Sequence, residues 1–186
     1  MRYRSWIFIA SGIFVIGLGA GLIISAIMPA DIVGFISQEL SSLEELSATF
    51  GPFQLKTAVF IFFRNASVLL LSFLLSPLLC LIPVMALGFN GLFISFISVI
   101  VTRQESLGFL LAGILPHGIF EIPALIMGEA AALSTGVMII AAAFSKEKRG
   151  LLPAKLKQNF KYLVLAFILL VPAAIIETYV TPLLLQ

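Results

Sequence analysis

The stretch WIFIASGIFVIGLGAGLIISAIM, residues 6–28, contains 23 consecutive residues without a charged side chain. A bilayer core about 30 Å thick needs about 20 apolar residues in a helix to cross it. This stretch is longer than the apolar core of a secretory signal peptide, and residues 28–31 make a poor cleavage site. Residues 6–28 therefore predict a transmembrane helix that remains in the protein.

The composition of the whole chain agrees with this prediction. Of 186 residues, 61% are hydrophobic and 11% are charged, against about 45–50% and about 25% in soluble domains. The excess apolar surface must face lipid, which excludes nucleic-acid binders, disordered chains and ordinary soluble enzymes. The single cysteine, Cys80, excludes an intramolecular disulfide and a thiolate metal cluster. The length suits one integral membrane domain over residues 1–186.

Four further spanning helices are predicted from charge-poor runs, at residues 53–76, 77–101, 117–144 and 162–185. The second and third helices are divided at Pro77, because proline is accepted in the first turn of a helix and resisted in its interior. An alternative starts the second helix after Arg64 and leaves residues 53–63 as an interfacial segment.

Two shorter segments complete the predicted fold. Residues 106–144 are too long for one span and slightly short for two, so we expect a re-entrant segment at 106–115 and a break at Pro116. Residues 31–50 place apolar side chains at steps of three and four, with acids between them, which is typical of an amphipathic helix at an interface. The predicted fold class is an all-α, polytopic membrane helix bundle.

The distribution of charge predicts the orientation in the membrane. Residues 145–161 contain six lysines and arginines and one acid, and Arg2 and Arg4 precede the first helix. Residues 31–56 contain four acids and one base. Because cytoplasmic loops are enriched in lysine and arginine, we expect a multi-pass plasma-membrane protein with a cytoplasmic N-terminus. Five crossings then place the C-terminus outside.

Few ionisable residues lie within the predicted spans, and each needs an explanation because a charge in the bilayer is costly. The structural interpretation is a polar core between helices, in which Glu121 bonds Arg64 or Asn65; its members are Arg64, Asn65, Asn90, His117 and Glu121. Arg64 is expected to pair with Glu121 or Glu129. Glu177 lies nearer a helix end.

A metal or proton site is the alternative interpretation of the same residues. His117 and Glu121 are one helical turn apart, and Glu129 lies two turns further along. One histidine cannot form a His-Glu-x-x-His zinc motif, so no catalytic residue and no cofactor site is predicted.

Three segments carry a resemblance to a known family. LPHGIFEIPA at residues 115–124, with Gly128 and the alanines at 130–132, is similar to the signature of the stage II sporulation protein M family, and IFFRN at 61–65 and FNG at 89–91 resemble its two other asparagine-bearing helices. The resemblance implies a polytopic membrane protein whose sporulating relatives recruit peptidoglycan-remodelling partners.

We therefore expect a non-enzymatic membrane scaffold, with the lipid bilayer and a membrane or extracytoplasmic protein as partners, a second copy of the chain as a further candidate, and no nucleic acid. A channel or transporter using His117, Glu121 and Glu129, or an intramembrane metalloenzyme, are the alternatives. A scaffold predicts a closed polar core, whereas permeation predicts a cavity reaching His117 and Glu129. Catalysis predicts a metal with an open coordination position.

Overall fold

A computed structural model describes residues 2–28, 51–78 and 80–186, which form six helices. They are α1 (Tyr3–Ile27), α2 (Leu55–Leu75), α3 (Leu81–Gln104), α4 (Leu107–Phe144), α5 (Lys146–Tyr179) and the short α6 (Thr181–Leu184). The first five are long and apolar enough to cross a membrane, and the described residues contain no strand. The all-α bundle with five spanning helices is confirmed. The amphipathic helix predicted at 31–50 lies outside the described residues.

The boundary between α2 and α3 differs slightly from the prediction. Helix α2 ends at Leu75 and α3 begins at Leu81, so Pro77 lies in the turn rather than in a first helical turn. Cys80 has a φ of 56°, a left-handed conformation that a right-handed helix cannot include. Helix α3 therefore starts after Cys80. The alternative start of α2 after Arg64 is wrong, because α2 begins at Leu55.

The predicted break at Pro116 is also wrong. Helix α4 continues through Pro116 and Pro123 for 38 residues. Each proline removes one hydrogen bond within the helix, but an interior proline is tolerated in a membrane helix when neighbouring helices cover the freed backbone groups. The segment predicted as re-entrant, 106–115, is therefore the first part of α4, apart from Ser106, whose side chain accepts a hydrogen bond from the Phe109 N–H at the start of the helix.

Helix α5 begins earlier than the predicted residue 162, because the basic segment after Ser145 is itself helical. Lysine and arginine are good helix formers. In addition, the Arg149 side chain donates to the carbonyl oxygens of Ala142 and Ala143 at 2.7 and 2.9 Å, which satisfies carbonyls at the end of α4. Helices α4 and α5 thus form a tight hairpin around Ser145.

Contacts along the helices define their directions. Between α2 and α4 the contacts advance in the same sense along both chains: Asn65 with Glu121, Leu69 with Gly128, and Ser76 with Gly136. The two helices are therefore parallel. Between α4 and α5 the contacts run in opposite senses, from Thr135 with Asn159 to His117 with Thr181 just beyond α5.

Helices α1 and α3 pack with their backbones in contact. A β-carbon added to Gly17, Gly21 or Gly91 would collide with backbone atoms of the facing helix. This close approach needs glycine on both sides, as in other small-residue interfaces between membrane helices. The facing positions, Gly17 with Gly88 and Gly21 with Leu92, advance together, so α1 and α3 are parallel.

The core and the lipid-facing surface are clearly separated. Residues 128–136 of α4 are all buried, and α4 is the central helix, since it packs against α1, α2, α3 and α5. Large apolar side chains are exposed on all five long helices, among them Phe8, Phe63, Phe93, Ile119 and Ile168. This surface is suited to lipid.

Candidate functional site

A cavity of about 290 Å³ lies beside α4, lined by residues of α2, α3, α4 and α5. We call it the polar recess, and its polar lining consists of Arg64, Asn65, Asn90, His117, Glu121 and Glu177. An adjoining cavity of about 180 Å³ shares four of these side chains. The five residues predicted from the sequence as a polar core therefore come together, and Glu177 joins them.

His117 and Glu121 form the floor of the recess on α4. They are four residues apart, so their side chains lie on the same face of the helix, one turn apart. The distance from His117 Nε2 to Glu121 Oε2 is 3.9 Å, and the side chains are 15% and 31% exposed. Both groups are thus partly desolvated but still reach the cavity.

Each of these two side chains also contacts a residue of another helix, through the atom that does not face the other side chain. Asn65 Nδ2 of α2 donates a hydrogen bond of 3.0 Å to Glu121 Oε1. His117 Nδ1 lies 3.4 Å from the hydroxyl of Thr181 at the start of α6. As a result, Glu121 Oε2 and His117 Nε2 are the atoms left facing each other.

Glu177 approaches the same point from α5. Ligand atoms of His117, Glu121 and Glu177 all lie within 4.8 Å of one another, and the three residues are half-buried. One imidazole and two carboxylates at this separation are a donor set that a divalent metal ion can use. The sequence predicts His117, Glu121 and Glu129 as the candidate metal ligands, whereas the structure brings Glu177 together with His117 and Glu121.

Arg64 lies at the edge of the recess and is exposed. It is the tenth of the 21 residues of α2, and so stands near the middle of that span. It interacts electrostatically with Glu121 and Glu177. Within the described ranges, however, it makes no hydrogen bond and no ion pair shorter than 4.0 Å. The expected ion pair with Glu121 or Glu129 is therefore not formed.

Asn90 lines the recess, but its side-chain hydrogen bond is made within its own helix. Its Nδ2 donates a hydrogen bond of 2.8 Å to the Ala86 carbonyl of its own helix, α3. This leaves the Asn90 side chain as a polar wall of the recess opposite α4.

Glu129 lies outside the recess, in the sealed core. Its side chain is fully buried, and neither carboxyl oxygen has a hydrogen-bond partner among the described residues. Its polar neighbour is Ser72 of α2, whose hydroxyl is also buried without a partner there. The cavity that reaches His117 and Glu121 is not lined by Glu129.

Thr181 belongs to this site although the sequence pattern does not predict it, and the pattern places Glu177 only as an acid near a helix end. One signal was present, because Glu177 and Thr181 are four residues apart, the spacing of His117 and Glu121. Helix α5 ends at Tyr179, between the two. Threonine next to a proline at the end of an apolar run is too common to indicate a site without the fold.

Comparison with known proteins places the chain in a family. A relative from Methanocaldococcus jannaschii, described as an uncharacterized protein, is 36% identical over 96 residues, which are 51% of this chain and 52% of the relative. The matched region thus spans about half the length of that curated relative. No solved structure matches the chain. The family model described as stage II sporulation protein M matches residues 7–182, well beyond the three segments that carried the resemblance. The chain belongs to the stage II sporulation protein M family.

Proposed function

We propose that the protein is a non-enzymatic membrane scaffold, which binds the membrane helix of a different protein at the polar recess. The observation that carries this proposal is Arg64, an exposed guanidinium near the middle of a membrane-spanning helix with no ion pair among the described residues.

An arginine in this position is costly. Insertion of arginine at the centre of a membrane helix costs about 2.5–3.5 kcal/mol on translocon scales, and the guanidinium cannot lose its proton to escape that cost. Such residues normally pair with a group of opposite charge or with backbone carbonyls. We infer that the missing partner group of Arg64 comes from another chain.

The surroundings of Arg64 indicate the chemistry of that partner. Phe60, Phe63 and Val68 on the same helix are exposed apolar side chains, so a binding helix must approach from the lipid with a mainly apolar face. It must also carry an acidic or amide side chain that reaches Arg64 and the polar recess. A transmembrane helix with one polar residue near its middle meets both requirements.

The recess differs from the closed polar core that a scaffold was expected to have. A cavity remains between α2, α3, α4 and α5, and polar groups facing lipid are unfavourable. A partner helix would cover this opening and complete the polar core. The proposed scaffold is therefore one whose core closes when the partner binds.

The proposed orientation places this site in the outer half of the membrane. With a cytoplasmic N-terminus and an extracytoplasmic C-terminus, the start of α2 and the end of α5 both lie on the outer side. They are level with each other, since the Phe53 N–H donates to the Thr178 carbonyl at 3.2 Å. In the sporulating relatives, recruitment of peptidoglycan-remodelling partners would use the same side of the membrane.

The other two functions have less support. A permeation path through His117, Glu121 and Glu129 requires a cavity that reaches Glu129, and Glu129 does not line the polar recess. The donor set of an intramembrane metalloenzyme is present, but metal binding alone does not establish a reaction.

Site-specific photocrosslinking in native membranes tests the scaffold. A benzoylphenylalanine at Val68, which lines the adjoining cavity, should give a discrete adduct with a different membrane protein. The same probe at Val15 of α1, 60% exposed on the lipid-facing surface, is the matched control and should give none. Arg64→Met should abolish the adduct at position 68, while Arg64→Lys, which keeps the charge, should retain part of it.

Three results would overturn the proposal. They are lipid adducts alone at both positions, an adduct of twice the mass of the chain, and a protein adduct that survives Arg64→Met in a variant that elutes as the wild type in gel filtration.

A further inference from the structure

We infer that His117, Glu121 and Glu177 bind one divalent first-row transition metal ion, for which Zn²⁺ is the appropriate probe. This inference goes beyond the scaffold role and does not depend on it. It rests on the positions of the three side chains, on the hydrogen bonds that orient two of them, and on the cavity in front of them.

The orientation of His117 suits metal binding. Its Nδ1 faces the Thr181 hydroxyl at 3.4 Å, so that Nδ1 can carry the ring proton and donate it to the hydroxyl oxygen. The lone pair is then on Nε2, the ring nitrogen that lies 3.9 Å from Glu121 Oε2. Histidine ligands of metals are commonly held in this way, by a hydrogen bond from the ring nitrogen that does not bind the metal.

Glu121 is oriented in the same manner. Asn65 donates to Oε1 at 3.0 Å, and Oε2 is the oxygen closer to His117. Two side chains from different helices, α2 and α6, thus hold one ligand each and leave one donor atom of each free. Both free atoms lie on the same face of α4, one turn apart.

The distances are close to those of a metal site. Two ligands of a tetrahedral Zn²⁺ with bonds of about 2.1 Å are separated by about 3.4 Å. The Nε2 to Oε2 distance is 3.9 Å, and Glu177 places a carboxylate oxygen within 4.8 Å of one ring nitrogen of His117 and one carboxylate oxygen of Glu121. A small rotation of the two carboxylates toward the centre brings all three atoms into range, and glutamate side chains have the torsional freedom for it.

The charges in the recess also favour a cation. Two ionised carboxylates whose oxygens lie this close repel each other, and a cation between them relieves that repulsion. Arg64 interacts with both at longer range but forms no ion pair with either among the described residues. A divalent ion at the centre of the three ligands would neutralise both carboxylates.

The ligand types and the volume of the cavity favour a first-row transition metal ion over Mg²⁺ or Ca²⁺. An imidazole with two carboxylates suits Zn²⁺ and its neighbours in the first row, whereas Mg²⁺ and Ca²⁺ prefer oxygen ligands only. The cavity of about 290 Å³ leaves space for water at the coordination positions that the protein does not fill. Cys80 lies in the turn between α2 and α3, so no thiolate joins the site.

Metal content and calorimetric titration of the purified full chain in lipid nanodiscs test this site. The wild type should bind one Zn²⁺ per chain. His117→Gln, Glu121→Gln and Glu177→Gln should each weaken binding at least tenfold, and Asn65→Ala about tenfold, the size of effect typical for residues that orient a ligand. Glu129→Gln, which removes a carboxyl from the sealed core, is the matched control and should bind as the wild type does.

A second measurement covers the case of a variant that does not fold. Co²⁺ added to the wild type should give the visible absorption of a four- or five-coordinate nitrogen and oxygen site, without thiolate charge transfer, and Zn²⁺ should displace it. The inference is overturned if the wild type binds no metal, if Glu129→Gln loses binding as the ligand variants do, or if the three ligand variants bind like the wild type. None of these results bears on the crosslink at position 68, so the two proposals fail separately.

Discussion

Glu121 and Glu129 are the same residue type on the same helix, eight positions apart, but they differ in exposure and in hydrogen bonding. Glu121 is 31% exposed in its side chain, lines the polar recess and accepts a hydrogen bond from Asn65. Glu129 is fully buried among alanines, and its carboxyl has no hydrogen-bond partner among the described residues.

Glu121 can therefore bind a cation or a partner group, whereas Glu129 is enclosed in the core of the bundle. A carboxylate in a cavity with donors around it keeps its charge at moderate cost and stays accessible to a cation or a partner group. The polar neighbour of Glu129 is the uncharged Ser72 hydroxyl, and burial of an unpaired charge is very costly. We therefore propose that the part of α4 around His117 and Glu121 carries function, and that residues 128–136 contribute to the stability of the bundle.

The largest expected effect comes from substituting lysine at position 129 and, for comparison, at position 121. Glu129→Lys should destabilise the protein by about 3–5 kcal/mol, the cost of an uncompensated buried charge. Glu121→Lys should cost less, about 1 kcal/mol, the centre of the range for point mutations, because its ammonium would lie in a cavity where Glu177 offsets the repulsion from Arg64. Unfolding free energies in mixed micelles measure both, and equal losses would erase the distinction between the two carboxyls.

Two glycines of α4 provide the next comparison. A β-carbon at Gly136 would collide with the Ser76 carbonyl oxygen and Cys80 Sγ, whereas one at Gly118 would meet only side-chain atoms at 3.6 and 3.8 Å. Gly136→Ala should therefore cost about 2 kcal/mol through overpacking. Gly118→Ala should be neutral or stabilise by up to about 1 kcal/mol through helix propensity. Thermal unfolding of the two variants tests this, and a loss at Gly118 as large as that at Gly136 would contradict it.

The smallest expected effect concerns the hydrogen bond between Asn65 and Glu121 in the recess. A double-mutant cycle of Asn65→Ala and Glu121→Ala should give a coupling of about 0.6 kcal/mol, the average for side-chain hydrogen bonds within membrane proteins. The cycle of Ser72→Ala and Glu129→Ala should give a smaller coupling, because Ser72 is the polar neighbour of Glu129 but the two side chains do not reach the geometry of a hydrogen bond. Coupling in the second cycle and not in the first would reverse the assignment.

Much of the fold was predictable because each span is longer than the bilayer and nearly free of charge. Helices α1 and α2 follow from such runs, with boundaries within three residues of the prediction, and the polar lining of the recess follows from the rarity of polar residues within them. Pattern alone failed at Pro116, where the sequence predicts a break. The outcome there depends on which neighbours cover the freed backbone, and that is a tertiary property.

The exact membership of the site was less accessible to sequence reasoning. Glu121 and Glu129 share a helical face and both meet α2, through Asn65 and Ser72 respectively, but only Glu121 lines the recess. Glu177 comes from another helix and completes the recess. Helical periodicity gives the positions of residues on one helix. It does not tell which helix packs against each face, so the contribution of α5 and of Thr181 required the structure.

The most direct test of this account is the accessibility of single cysteines on a Cys80→Ala background. Asn90→Cys places a thiol in the wall of the recess without altering a proposed metal ligand, and Ser72→Cys places one beside Glu129, where the native side chain is fully buried. In the purified chain in detergent micelles, without the proposed partner, a small thiol reagent should modify the cysteine at position 90, and should modify the cysteine at position 72 only after unfolding. Modification of position 72 in the folded protein, or none at position 90, would contradict the division of α4 into an open polar site and a sealed core.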